Sequence, residues 1–241
     1  MKKVCLVIGT GDETGAAIAR AFAKEGLTVC VSRRLFHAEE LEDLAASIRR
    51  DGGSAFAFPA DVQDEEAVLA LFKHIEAEIG PLEVVVFNLG ANVKLSITET
   101  SARVYRNVWE MAAFAGFLTG REAARHMLPR ERGTIIFTGG AASLRGGAGY
   151  SAFAGAKHAL RALAQSMARD LGPKNIHVVH TVIGGEVDSN FIREMLPNVN
   201  GQPEEDISLN PDHIARAYVN LYKQPRQGWT HELDLRPYCE K

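Results

Sequence analysis

Three groups of residues in this 241-residue chain have types and spacings suited to chemistry. The first closes the stretch Gly133 to Lys157, GTIIFTGGAASLRGGAGYSAFAGAK. In it Tyr150 precedes Lys157 by seven positions, so on one helix both side chains would share a face. A phenol and an amine on one cleft can move a proton, and Thr138 and Ser143 add hydroxyls nearby. The alternative for Tyr150 is a plain pocket wall. The second group is the turn Gly9-Thr-Gly11-Asp-Glu-Thr-Gly15. It follows the apolar run Val4 to Ile8 and precedes a helical pattern of Ala16, Ile18, Ala19, Phe22 and Ala23. A strand, a glycine turn and a helix form a phosphate-binding corner, because the glycines let backbone approach the ligand and the helix start aims unpaired N–H groups at it. The third group is Ser32-Arg33-Arg34, directly after the apolar run Leu27 to Val31. If the corner holds a dinucleotide, an acidic residue here would bind a ribose 2′-hydroxyl, whereas arginines suit a 2′-phosphate. No Asp or Glu stands there, which favours NADP over NAD, with one of the two arginines free to lie in solvent.

These groups need a frame, and the hydrophobic pattern supplies one. Short, wholly apolar runs suit strands of a parallel sheet covered on both faces. Val4–Ile8 is such a run, apolar at every position, and further strands are read at Leu27–Val31, Ala55–Pro59, Val84–Phe87, Gly133–Thr138 and Ile176–Ile183, with His231–Leu235 as a seventh. Between them lie amphipathic stretches: one after Gly15, His37–Arg50, a helix capped by Asp64 and running to Ile79, one or two helices over Ser101–Met127, Ser151–Leu171, and Pro211 to Lys223. Strand and helix alternate throughout, which predicts an α/β fold with a doubly wound parallel sheet and helices on both faces. Residues 184–210 are polar and broken by Pro and Gly, and are expected to form a substrate loop. With no repeat, linker or low-complexity tract, residues 1–241 read as one domain.

Bulk properties narrow the function classes. A net charge of −3, from 27 basic and 30 acidic residues, leaves no electrostatic footprint for nucleic acid or an anionic membrane. Eight histidines lack ligand spacing, so no metal is expected. Cys5 and Cys30 sit inside apolar runs and read as small core hydrophobes. The N-terminal apolar run is too short for a signal peptide or a membrane span, and a cytoplasmic location is expected.

With Gly9, Gly11 and Gly15, Asp61-Val62, Asn88-Leu-Gly90 and the helix start from Phe153 to Lys157, the chain resembles the short-chain dehydrogenase/reductase family along nearly its whole length. The resemblance implies a Rossmann-type sheet of about seven strands, with an NAD(P) site at their carboxyl ends. It places Asp61 and Val62 by the adenine, Asn88 and Gly90 at the central strand and cofactor ribose, and Lys157 on the nicotinamide ribose. Ser189 stands where the family's hydroxyl contacts the nicotinamide amide or pyrophosphate. Asp61 and Asn88 also have plain readings as turn formers.

The departures bear on mechanism. The family's Asn-Ser-Tyr-Lys set would fall on Ala112, Gly140, Phe153 and Lys157, so only the lysine keeps its type. Phe153 keeps a ring but no proton, and general acid–base catalysis typically contributes about 10²–10⁴-fold. Glu13 puts a carboxylate where pyrophosphate is expected. Three readings follow. The first is an NADP-dependent oxidoreductase for a small, unidentified carbonyl or alcohol, working by a non-standard mechanism in which Tyr150 replaces the acid or hydride transfer alone suffices. The second is a dinucleotide-binding sensor without chemistry. The third is a partner subunit. The family's habit of pairing the Ser101–Met127 and Ser151–Leu171 helices across a two-fold axis implies a homodimer or homotetramer.

Overall fold

The strands lie in one sheet in the order β3-β2-β1-β4-β5-β6-β7, every neighbour parallel. The computed structural model describes residues 2–11, 13–188 and 208–238. The strands are β1 Val4–Ile8, β2 Thr28–Arg33, β3 Ser54–Pro59, β4 Leu82–Phe87, β5 Gly133–Thr138, β6 Ile176–Ile183 and β7 Glu232–Leu235. The helices are α1 Thr14–Lys24, α2 Ala38–Arg50, α3 Glu65–His74, α4 Ala102–Trp109, α5 Ala115–Met127, α6 Ser151–Leu171 and α7 Pro211–Tyr222.

The apolar runs are continuous because the sheet buries both faces. Alternate residues of one strand point to opposite sides. Leu6, Ile8, Val85, Phe87, Ile135 and Phe137 join α3, α5 and α6 in one core layer. Cys5, Val7, Val84, Val86 and Ile136 join α1, α2 and α7 in the other. Cys5 and Cys30 are free, buried thiols in opposite layers, and burial pushes both thiol pKa values up, Cys30 to about 12.

Local signals set the helix ends. The Asp64 carboxylate accepts from the Glu66 backbone N–H at 3.0 Å and starts α3, whose axis continues as a wider π-turn over Ile75–Ile79. Ser101 and Asn210 cap α4 and α7 in the same way. A π-turn over Glu110–Phe114 joins α4 to α5, so the Ser101–Met127 stretch is continuous and helical from Ala102. No helix among the described residues is long and apolar enough to cross a membrane.

Sheet growth reverses direction at β1 and β4. From β1 the chain adds β2 and β3 on one side, then returns to place β4 on the other. At such a switch point the loops after the two strands part and leave a crevice at their carboxyl ends.

Candidate functional site

The loops after β1 and β4 are tied together at that crevice. The Asn88 backbone N–H donates to Ile8 O at 2.8 Å, and its Nδ2 donates to Gly9 O at 3.1 Å. Gly9 has φ +84°, and a Cβ there would meet Asn88 O at 2.5 Å. A Cβ on Gly15 would meet Gly9 O at 2.6 Å, so the first turn of α1 packs tightly on the loop. Gly11 is different. A Cβ on it would meet nothing within 4 Å, and the residue faces the crevice.

The crevice is a cleft of about 980 Å³, walled by the glycine turn, Asn88 to Gly90, Thr138 to Ala142, Tyr150, Phe153, Lys157 and 183–187. A side lobe of about 260 Å³ shares Gly9, Gly11, Arg33, Asn88 and Gly90 with it, and adds Arg34, Asp61 and Val62. The structure thus gathers every predicted site residue it describes along one continuous groove, except that Gly15, Tyr150 and Lys157 lie only on the main cleft and Arg34, Asp61 and Val62 only on the lobe. Ser189 and most of the 184–210 loop lie outside the described residues.

In the lobe the two arginines differ. Arg33 Nη1 donates to Glu40 Oε2 at 2.7 Å, and His37 Nδ1 reaches the same oxygen at 2.8 Å. Arg34 has no carboxylate partner among the described residues; its guanidinium lies over the Phe36 ring, 4.8 Å from the centroid. Asp61 Oδ1 accepts from the Gln63 backbone N–H at 3.1 Å, a turn-forming bond that leaves the side chain exposed. Glu13, the residue opposed to a phosphate on charge grounds, is exposed at the lip of the main cleft.

At the other end Lys157 is buried, and its Nζ donates to Leu89 O and Thr138 O, each at 2.8 Å. Burial disfavours the ammonium and lowers its pKa to about 8. One turn earlier on α6, the Phe153 ring centroid lies 5.8 Å from Nζ. Tyr150 stands just before the first turn of α6, its carbonyl accepting from Ala154 N at 2.8 Å, and the Lys94 ammonium lies 5.8 Å from its ring centroid. Seven residues of helix rise about 10 Å, so Tyr150 shares the cleft with Lys157 at a distance, with Phe153 between them along the helix.

The two nearby hydroxyls are committed elsewhere. Thr138 Oγ1 bonds Tyr218 Oη at 2.8 Å, and the buried Ser143 Oγ accepts from Gly140 N at 3.2 Å. Beneath Gly139 lies a polar group that sequence reasoning missed. His180 is wholly buried, with Nδ1 3.0 Å from Glu232 Oε2; Glu232 in turn accepts two bonds from Arg161 at 2.6 and 2.8 Å. The Arg161 hydrogen bonds hold the Glu232 carboxyl below its ordinary range, while burial pushes the His180 imidazole down to about 4. His180 is therefore neutral near pH 7. Its Nε2 has no hydrogen-bond partner among the described residues and sits 2.2 Å from where a Gly139 Cβ would stand. These residues come from α6, β6 and β7, and no local pattern announces them.

A glycine-turned crevice at the switch point of a doubly wound parallel sheet defines the class of nucleotide-binding α/β proteins. Comparison with known proteins gives the family. The family model for short chain dehydrogenases matches residues 3–199, and the chain belongs to that family. It is 33% identical to versicolorin reductase 1 of Aspergillus parasiticus over 202 residues, covering 81% of this chain and 75% of that protein. It is 26% identical to the bovine 3-oxoacyl-[acyl-carrier-protein] reductase over 204 residues, covering 82% and 84%. The crystal structure of a short-chain dehydrogenase from Rhodopseudomonas palustris is 47% identical, with TM-score 0.84 and 98% and 99% of the two chains covered. An alcohol dehydrogenase from the archaeon Thermococcus sibiricus, solved with 5-hydroxy-NADP, is 25% identical, with TM-score 0.86 and coverage of 100% and 99%.

Proposed function

We propose that the protein is an NADP(H)-dependent oxidoreductase for a small carbonyl or alcohol, working without the family's tyrosine and serine. The observation that carries this reading is the groove itself: one path runs from Arg34 and Asp61, past the open face of Gly11, to Lys157. The residues fit a dinucleotide on geometry. Gly11 and Gly90 line the groove and would present Cβ atoms to empty space, and α1 begins beside it with no side-chain cap from its N-cap residue Glu13. The versicolorin and 3-oxoacyl reductases among the relatives support the reaction class, and the 5-hydroxy-NADP in the archaeal neighbour supports the choice of cofactor.

Bound in this groove, the nicotinamide would supply or accept the hydride. The chain's own residues do the rest. Arg34, free of a carboxylate among the described residues and stacked on Phe36, offers its charge to a 2′-phosphate, while Arg33 is neutralised by Glu40. Asp61 and Val62 border the adenosine end, and Gly9, Gly15, Asn88 and Gly90 shape the phosphate path. Lys157 presents a cation at the nicotinamide ribose, held in place by Leu89 O and Thr138 O. Phe153 and Gly140 stand at the tyrosine and serine positions, 4 and 17 residues before Lys157. With Thr138 and Ser143 committed, Tyr150 is the hydroxyl left at this end of the cleft among the described residues, and we assign it the proton transfer. The 184–210 segment, with Ser189, completes the nicotinamide side in this reading. The chain works as one domain in a homodimer or homotetramer; Tyr105, Trp109 and Phe117, exposed by 45%, 42% and 39% on α4 and α5, suit such a contact.

A panel of carbonyls with NADPH, and of alcohols with NADP, tests the activity. Turnover that Tyr150→Phe abolishes supports the whole reading. Turnover indifferent to Tyr150→Phe removes the phenol from the mechanism, and NADPH binding without any turnover favours a non-catalytic sensor.

A further inference from the structure

Tyr218 is the largest fully buried side chain of the protein among the described residues, and it lies on α7, outside the cleft. Its neighbours in that core layer include Ile136, Val179, Ile214 and Ala215, an environment that a phenylalanine would satisfy. The hydroxyl has its own partners. Its Oη lies 2.8 Å from Thr138 Oγ1 and 2.6 Å from Thr181 Oγ1, and both threonines are buried. Burial raises the phenol pKa to about 12, so the group stays a neutral donor and acceptor.

The two threonines are register partners, Thr138 the last residue of β5 and Thr181 two residues before the end of β6, where the sheet nears the cleft. Just beyond Thr138 the Gly139 N–H, from the first of the glycine pair, donates to Thr181 O at 2.7 Å. The carbonyl of Thr138 is one of the two that hold the Lys157 ammonium. One hydroxyl on the far side of the sheet thus joins both strand ends that carry the lysine's acceptor and the cleft floor.

We propose that Tyr218 is a positioning residue for the Lys157 end of the cleft: by bridging Thr138 and Thr181 it fixes the end of β5, and so the Thr138 carbonyl and Gly139–Gly140. This rests on the cleft being the cofactor site only where cofactor affinity is the readout. Without the phenol oxygen, the strand ends keep their backbone ladder but lose a cross-tie, and two buried hydroxyls lose a partner. Lys157 would then sample positions away from the ribose it is meant to meet.

The test uses Tyr218→Phe in the full chain, with site-resolved amide exchange and NADPH titration. The Gly139 amide is expected to exchange about threefold to tenfold faster and NADPH to bind weaker by a similar factor, the worth of one neutral hydrogen bond, while Leu6 and Val7 of β1 keep their rates. Adding Thr138→Val to Tyr218→Phe should change affinity by less than Thr138→Val does alone, because both cut the same tie. An unchanged Gly139 rate, acceleration spread evenly over the sheet, or full additivity would overturn the proposal. Thr181→Val makes the same local prediction for Gly139 should Tyr218→Phe not fold. If the unaltered chain binds no NADPH, the cofactor reading fails, and the exchange rate of Gly139 still decides the role of Tyr218.

Discussion

Lys157 and Phe153 lie one helical turn apart on α6, with the ammonium 5.8 Å from the centre of the aromatic ring. A phenol oxygen added to that ring would feel the cation directly, and a nearby positive charge favours phenolate, so the hydroxyl would become a better acid. Gly140 could accept a side chain as well, since a Cβ there would stand 3.5 Å from Ile183 O, an ordinary contact. The double change Phe153→Tyr with Gly140→Ser should therefore fold. On the best carbonyl substrate with NADPH its kcat should rise at least about a hundredfold, the lower end of the usual range for general acid–base catalysis. An unchanged kcat would mean that the pocket does not seat its substrate beside residue 153.

The adjacent glycines of the cleft floor should behave in opposite ways. At Gly139 a Cβ would strike His180 Nε2 at 2.2 Å, and His180 is pinned by Glu232, which Arg161 in turn holds. Overpacking of this kind costs about 1–3 kcal/mol. Gly139→Ala should lower Tm by roughly 2–10 °C for a chain of this size, and Gly140→Ala by less than about 2 °C. Thermal unfolding of the two variants side by side checks this, and equal losses would show that His180 yields freely.

Burial of Lys157 makes stability depend on pH in a defined window. Its folded pKa is about 8, below the unfolded value near 10.4, so the unfolded chain binds the extra proton between those pH values. Stability from this group is thus lowest below pH 8 and rises as pH increases toward 10. Relative to Lys157→Met, which cannot titrate, the wild-type chain should gain on the order of 2–3 kcal/mol between pH 7.5 and 10. Urea unfolding at several pH values measures that difference directly. A flat or falling difference would mean that water reaches the amine.

Much of this was legible in the sequence, for physical reasons. The strands announced themselves because a sheet covered on both faces favours apolar residues at successive positions, as Val4–Ile8 shows with five buried residues. The glycine turn was legible because strand, turn and helix are contiguous. Pairings between distant segments were not. Thr138 meets Tyr218 across 80 positions and His180 meets Glu232 across 52, and each residue alone reads as ordinary polar punctuation. Arg33 and Arg34 looked equivalent until α2 brought Glu40 to one of them. Tyr150 was spaced correctly for the Lys157 face, but α6 begins one residue after it, and so the phenol stands at the helix entrance.

The central claim is that the groove from Arg34 to Lys157 binds NADP, and fluorescence titration of the protein with NADPH and NADH tests it most directly. NADPH should bind at least about tenfold tighter than NADH, as one charge-assisted contact would give, and Arg34→Ala should erase that preference while leaving NADH affinity in place. Binding of neither nucleotide, or equal affinity for both in the unaltered chain, would contradict the account.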